Sequence, residues 1–127
     1  MRKADCSCPC TGKTLTKFLN PAVLGTIARA KGGLHGYAIA ASLEDSGLFG
    51  CQPPDATGLY RLLKSMEEEG LLKSKLDTPE KGLPKRVFNI TSSGRKCLAN
   101  WRETLHEYRK TIERLEVFLE NPEGVSK

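Results

Sequence analysis

The sequence predicts a mainly α-helical module with a small β-hairpin and one long C-terminal helix. Three observations carry that prediction. Across residues 55–70, the apolar residues Leu59, Leu62, Leu63 and Met66 fall at i, i+3, i+4 and i+7, the spacing of one buried helical face. Two strand-like runs follow, 71–76 and 85–90, joined by a loop holding Pro79, Gly82 and Pro84. Finally, Leu98, Trp101, Leu105, Tyr108, Ile112, Leu115 and Leu119 alternate spacings of three and four without a break, as in the seam of a coiled coil.

A chain of 127 residues is the size of one module with a real hydrophobic core. Its organisation divides into a cysteine-containing tail (1–13), a body (14–91), a C-terminal helix (92–121) and a frayed end (122–127). A formal charge of +5 favours an anionic partner, although a merely solvated basic surface gives the same balance. No apolar run is long enough to span a bilayer and the N-terminal residues lack a signal-peptide apolar region, so a cytoplasmic protein without a membrane partner is expected. Five cysteines without an export signal argue against a disulfide framework and for reduced thiols or a metal.

In chain order, Cys6, Cys8 and Cys10 come first. Three thiols at alternate positions converge on one thiophilic ion only if the backbone turns, which Pro9 and Gly12 permit. Cys51, in a turn-rich loop, is the leading candidate for a fourth ligand. The plainer alternative is a tail with incidental cysteines. Cys97 lies in a helical pattern, where a buried, inert thiol is the commoner outcome.

Asn20 followed by Pro21 reads as a helix start, with Asn20 as the cap and the helix running to about Lys31 with Val23, Leu24 and Ile27 inward. The alternative is that the preceding apolar stretch from Leu15 to Leu19, which is able to pack on the body or a partner chain, extends this helix. Gly32 and Gly33 end it. A second helix spans about 35–46, with Ile39 and Leu43 inward and Gly47 closing it. His35 at its start reads as a cap or a packed side chain. The third helix has Asp55 as N-cap and Gly70 just past its end. Thr91 caps the last helix, but Gly94 stands where the glutamate of a capping box would be.

The arc of the third helix opposite its apolar face carries Thr57, Arg61 and Lys64, and Lys81, Lys85 and Arg86 sit at or beside the hairpin tip. A helix with exposed donors beside a cationic hairpin can enter one groove of double-stranded DNA and brace on its neighbour. On that reading Thr57 and Arg61 face base edges or nearby phosphates, Tyr60 and Lys64 contact the sugar-phosphate backbone, and Lys81, Lys85 and Arg86 follow from the hairpin. The C-terminal seam is longer than the body can cover, so a homodimer through that helix is the default expectation; the alternative folds the stripe back on its own domain.

With these pieces in place, the sequence resembles the PadR family of transcriptional regulators, in its short form with a single C-terminal helix. The likeness covers about residues 18–119. It rests on Leu34-His35-Gly36-Tyr37, on Leu59-Tyr60-Arg61 and Leu63 with Met66-Glu67-Glu68-Glu69-Gly70-Leu71-Leu72, and on Arg86-Val87-Phe88-Asn89-Ile90-Thr91-Ser92-Ser93-Gly94. The resemblance implies a winged helix-turn-helix, a homodimer formed mainly by the first and last helices, binding to an operator, and repression relieved by a small ligand. It also implies a ligand pocket lined by an aromatic residue of the last helix, a place that Trp101 would take; a plain seam residue is the alternative. The cysteine-rich N-terminus departs from the family pattern and suggests a metal or thiol signal instead.

The rival from another class is a winged-helix adaptor that binds protein through its coiled helix and has no operator. An enzyme is not expected, because the chain shows no nucleophile–base–acid set and no phosphate loop, and His35 and His106 lie far apart in sequence.

Overall fold

A computed structural model describes residues 18–48, 55–80 and 82–120. The cysteine tail with Cys6, Cys8 and Cys10, the loop with Cys51, Lys81 and the last seven residues lie outside the described residues. The elements run α1 (Leu19–Arg29), β1 (Leu34–His35), α2 (Gly36–Ser46), α3 (Ala56–Glu68), β2 (Leu72–Asp77), β3 (Lys85–Ile90) and α4 (Ser92–Glu120). The expected helical body, hairpin and long last helix are all present.

The core forms where the apolar faces of α1, α2 and α3 meet the sheet. Val23, Leu24 and Ile27 from α1, Ile39 and Leu43 from α2, and Leu59, Leu63 and Met66 from α3 are fully or almost fully buried, with Leu72 and Phe88 from the strands. Each such side chain contributes about 1.5–3 kcal/mol on burial. Leu62, at the margin of the α3 face, is only half-buried against this cluster.

The α1 start lies before the Asn20 cap, in line with the alternative in which the preceding residues extend the helix. Phe18 occupies the N-cap position and makes no side-chain cap, while Asn20 is an exposed residue of the first turn. Proline needs no N–H partner anywhere in that turn, so Pro21 does not require the residue before it to be the cap. The earlier start lets Leu19 pack on the core and brings the Phe18 ring 6.0 Å from that of Tyr108 on α4. The helix ends at Arg29, because Ala30 is already extended.

Strand β1 is an addition to the predicted elements. Leu34 pairs with Phe88 and His35 with Val87, so β3 becomes the middle strand of an antiparallel sheet ordered β1-β3-β2. Two residues are too few to show a period of two. His35 does stand at the N-cap of α2, but its side chain makes no cap hydrogen bond.

Strand β2 begins at Leu72 and not Leu71, because Leu71 belongs to the end of α3. The Leu71 N–H donates to the Met66 carbonyl (2.9 Å) and the Gly70 N–H to that of Glu67 (3.0 Å), with Gly70 at φ +83°. That pair of bonds is a Schellman cap, which only a left-handed residue closes without strain.

The start of α4 is fastened to the same place. The Thr91 hydroxyl points at the carbonyl oxygens of Gly70 (2.6 Å) and Leu71 (3.0 Å), and its oxygen accepts from the Gly94 N–H (3.0 Å). A Cβ on Gly94 would collide with the Leu71 carbonyl oxygen and lie 2.6 Å from Ile90 Cγ1. Close packing therefore explains why the capping-box glutamate is absent. From this anchor α4 runs for 29 residues, about 44 Å. Its first apolar residues, Cys97, Leu98 and Trp101, pack half-buried on the core.

Candidate nucleic-acid interface

Helix α3 is held at both ends and along one face, which leaves its other face fixed in space. Asp55 Oδ1 accepts from the Gly58 N–H at 2.6 Å, the N-cap that the sequence predicts. Burial of Leu59, Leu63 and Met66 sets the rotation of the helix, so Thr57, Arg61 and Lys64 all stand exposed. None of the three makes an ion pair within the described residues.

Tyr60 is half exposed, and its phenol reaches back to the start of α2: a Cβ on Gly36 would fall on the Tyr60 hydroxyl and 2.7 Å from Cζ. Next in the chain, Tyr37 extends the contact to the sheet. Its ring stacks on His35 with centroids 6.2 Å apart, and Lys85 Nζ lies 4.9 Å above it. His35 Nε2 is 3.3 Å from Asp77 Oδ2, and Asp77 is the cross-strand partner of Lys85. Helix α3, the α2 start and the hairpin thus meet through Tyr60, Gly36, Tyr37 and Lys85.

Arg86 is engaged on the other side of the hairpin. Its Nη1 donates to Ser74 Oγ (3.0 Å), and that hydroxyl donates to Glu67 Oε2 (2.7 Å). Glu67, on the last turn of α3, thereby ties the hairpin to the helix. Of the expected surface, Thr57, Tyr60, Arg61, Lys64, Lys85 and Arg86 lie among the described residues, and Lys81 does not. Sequence reasoning missed Tyr37, Ser74 and Glu67. Tyr37 was visible only as part of the His-Gly-Tyr motif, and the Ser74–Glu67 contact needed the register of β2.

The C-terminal stripe divides in two. Leu98 and Trp101 are half-buried on their own domain, whereas Leu105, Tyr108, Ile112, Leu115 and Leu119 are 37–61 % exposed. Among the described residues, no group of three or more His, Cys, Asp or Glu side chains could hold a metal. No helix among them is long and apolar enough to cross a membrane.

The family model for the PadR-like transcriptional regulators matches residues 23–100. The chain belongs to the PadR family. Members are transcriptional regulators and not enzymes, and the three helices with a sheet described above are its winged helix-turn-helix. A PadR-family regulator from Eggerthella lenta is 27 % identical at a TM-score of 0.68, over 79 % of this chain and 82 % of that one. A protein from Thermoplasma acidophilum with a transcriptional-regulator assignment is 31 % identical at a TM-score of 0.65, over 81 % and 94 %. Bacillus subtilis PadR, solved in complex with operator DNA, is 27 % identical at a TM-score of 0.57; the match spans 67 % of this chain and 46 % of the larger protein. Among curated proteins, nothing matches this chain.

Proposed function

We propose that this PadR-family chain is a homodimeric, sequence-specific repressor that reads double-stranded DNA with α3. One observation carries the proposal: α3 buries Leu59, Leu63 and Met66 while Thr57, Arg61 and Lys64 stand exposed on the other face, held to the hairpin through Tyr60, Gly36, Tyr37 and Lys85. A structural relative bound to operator DNA supports the same use of the fold. In this reading Thr57 and Arg61 face base edges or nearby phosphates, Tyr60 and Lys64 the sugar-phosphate backbone, and Lys81, Lys85 and Arg86 the adjacent groove or its phosphates.

The dimer follows from α4. Leu105, Ile112, Leu115 and Leu119 form an exposed stripe that a second copy of the same helix would cover, with Leu98, Trp101 and Tyr108 completing the seam near the body. A two-fold pair of reading heads then fits a two-fold operator. Relief of repression would come from a small ligand beside Trp101, or from a thiophilic metal or oxidation at Cys6, Cys8 and Cys10 with Cys51. Either signal must favour one of two arrangements of the heads, since a ligand shifts an equilibrium only by its differential affinity.

The experiment is duplex selection from a random pool with anaerobically purified protein, followed by salt-dependent titration of the selected duplex. Sequence-dependent binding that weakens steeply with salt supports the proposal. Equal affinity for all duplexes, or none, refutes it. Repeating the titration with and without zinc, and with the three tail cysteines changed to serine, separates a metal signal from incidental cysteines.

A further inference from the structure

The outward face of the sheet carries two lysines, Lys73 and Lys75, that the reading heads do not use. Register and strand alternation put Lys73, Lys75 and Asp77 of β2 on one face with Lys85, Val87 and Asn89 of β3 and His35 of β1. The opposite face supplies Leu72 and Phe88 to the core, so the lysine-bearing face looks away from α3. Lys73 and Lys75 are exposed and make no ion pair among the described residues. Asp77 is the one carboxylate on the described strands of that face, and the His35 imidazole already engages it. An open hollow of about 450 Å³ is lined by Gly32 of the turn between α1 and β1 and by Lys73, Ser74, Lys75 and Asn89 of the sheet.

We propose that this face is a second backbone-binding site, which takes phosphodiester oxygens of the DNA flanking the operator. Lys73 and Lys75 are two strand residues apart, about 6.8 Å, which is close to the separation of adjacent phosphates on one DNA strand. Asn89, cross-strand from Lys73, adds a neutral amide donor at the edge of the hollow. Lysine suits such a site because it acts as a point charge that tolerates many approach angles. The face is continuous with the proposed interface: Lys85 begins it near the hairpin tip, and Lys75 and Lys73 follow away from the tip. A duplex that leaves α3 past the hairpin and curves toward the protein meets the three in that order. Contacts of this kind add affinity and footprint but no base preference.

The inference rests on the proposed DNA binding, and its test separates the two. The selected duplex is compared with the same duplex extended at each end by one helical turn of arbitrary sequence. Each is titrated with the full chain and with the Lys73→Gln/Lys75→Gln variant, whose fold is checked by thermal melting. The natural chain is expected to bind the extended duplex more tightly, with a log–log salt slope steeper by about 3.6, from two lysines on each of two protomers at about 0.9 per phosphate neutralised. The variant is expected to bind the short duplex as the natural chain does and to lose the gain from the flanks. An equal gain in both proteins, or a gain in neither, overturns the second site while leaving operator binding intact. Failure of the natural chain to bind either duplex overturns operator binding and this site with it.

Discussion

The phenol of Tyr60 lies directly over the Gly36 backbone, at a distance that leaves no room for a methyl group. Gly36→Ala adds that methyl, and the half-exposed tyrosine has space to swing away from it. Thermal melting of this variant should stay close to that of the natural chain, while affinity for the selected duplex falls. If Tyr60 acts through this contact, Gly36→Ala should have little further effect in a Tyr60→Ala background, and a double-mutant cycle measures that coupling directly.

At Gly94 the neighbour is backbone. Gly94→Ala would drive a Cβ into the Leu71 carbonyl oxygen, which the Schellman end of α3 and Thr91 both hold in place. The collision has no cheap relief, so a loss of about 1–3 kcal/mol is expected in urea unfolding. A stability equal to that of the natural chain would mean that the α3–β2 corner yields more readily than its hydrogen bonds suggest.

The Asp55 side chain caps α3 at its start. Asp55→Ala should cost about 0.5–2 kcal/mol in denaturant unfolding, with Asp55→Asn recovering most of it. A full loss in the asparagine variant would show that the charge, and not the acceptor oxygen, is what the helix needs.

The stripe on α4 gives a prediction about assembly. Ile112 is 54 % exposed in the single chain, so Ile112→Asp should leave the folded body intact. If a second copy covers this stripe, the substitution should convert a dimer into a monomer in sedimentation equilibrium. An unchanged molecular mass would place the dimer contact elsewhere.

How much of this was legible in the sequence depended on whether a residue's role was local. The α3 face, the Asp55 cap and the Gly70 end were readable because periods and caps are set by neighbours a few residues away. Strand β1 was not, since Leu34 and His35 become a strand only by pairing with residues more than fifty positions later. The same holds in the candidate interface. Arg61 and Lys64 were placed by helical period alone, but the contacts Tyr37–Lys85 and Arg86–Ser74–Glu67 arise from tertiary register. At α1 the Asn-Pro pair is a strong local cap signal, but packing of Leu19 on the core favours the alternative start upstream of it.

The central claim is that the exposed arc of α3 reads DNA, and Arg61 tests it most directly. The measurement is the affinity of Arg61→Ala for the selected duplex at matched salt, with dimer and melting temperature confirmed unchanged. A loss of about 1–3 kcal/mol together with relaxed preference at one operator position is the predicted result. An affinity and sequence preference equal to those of the natural chain would contradict it.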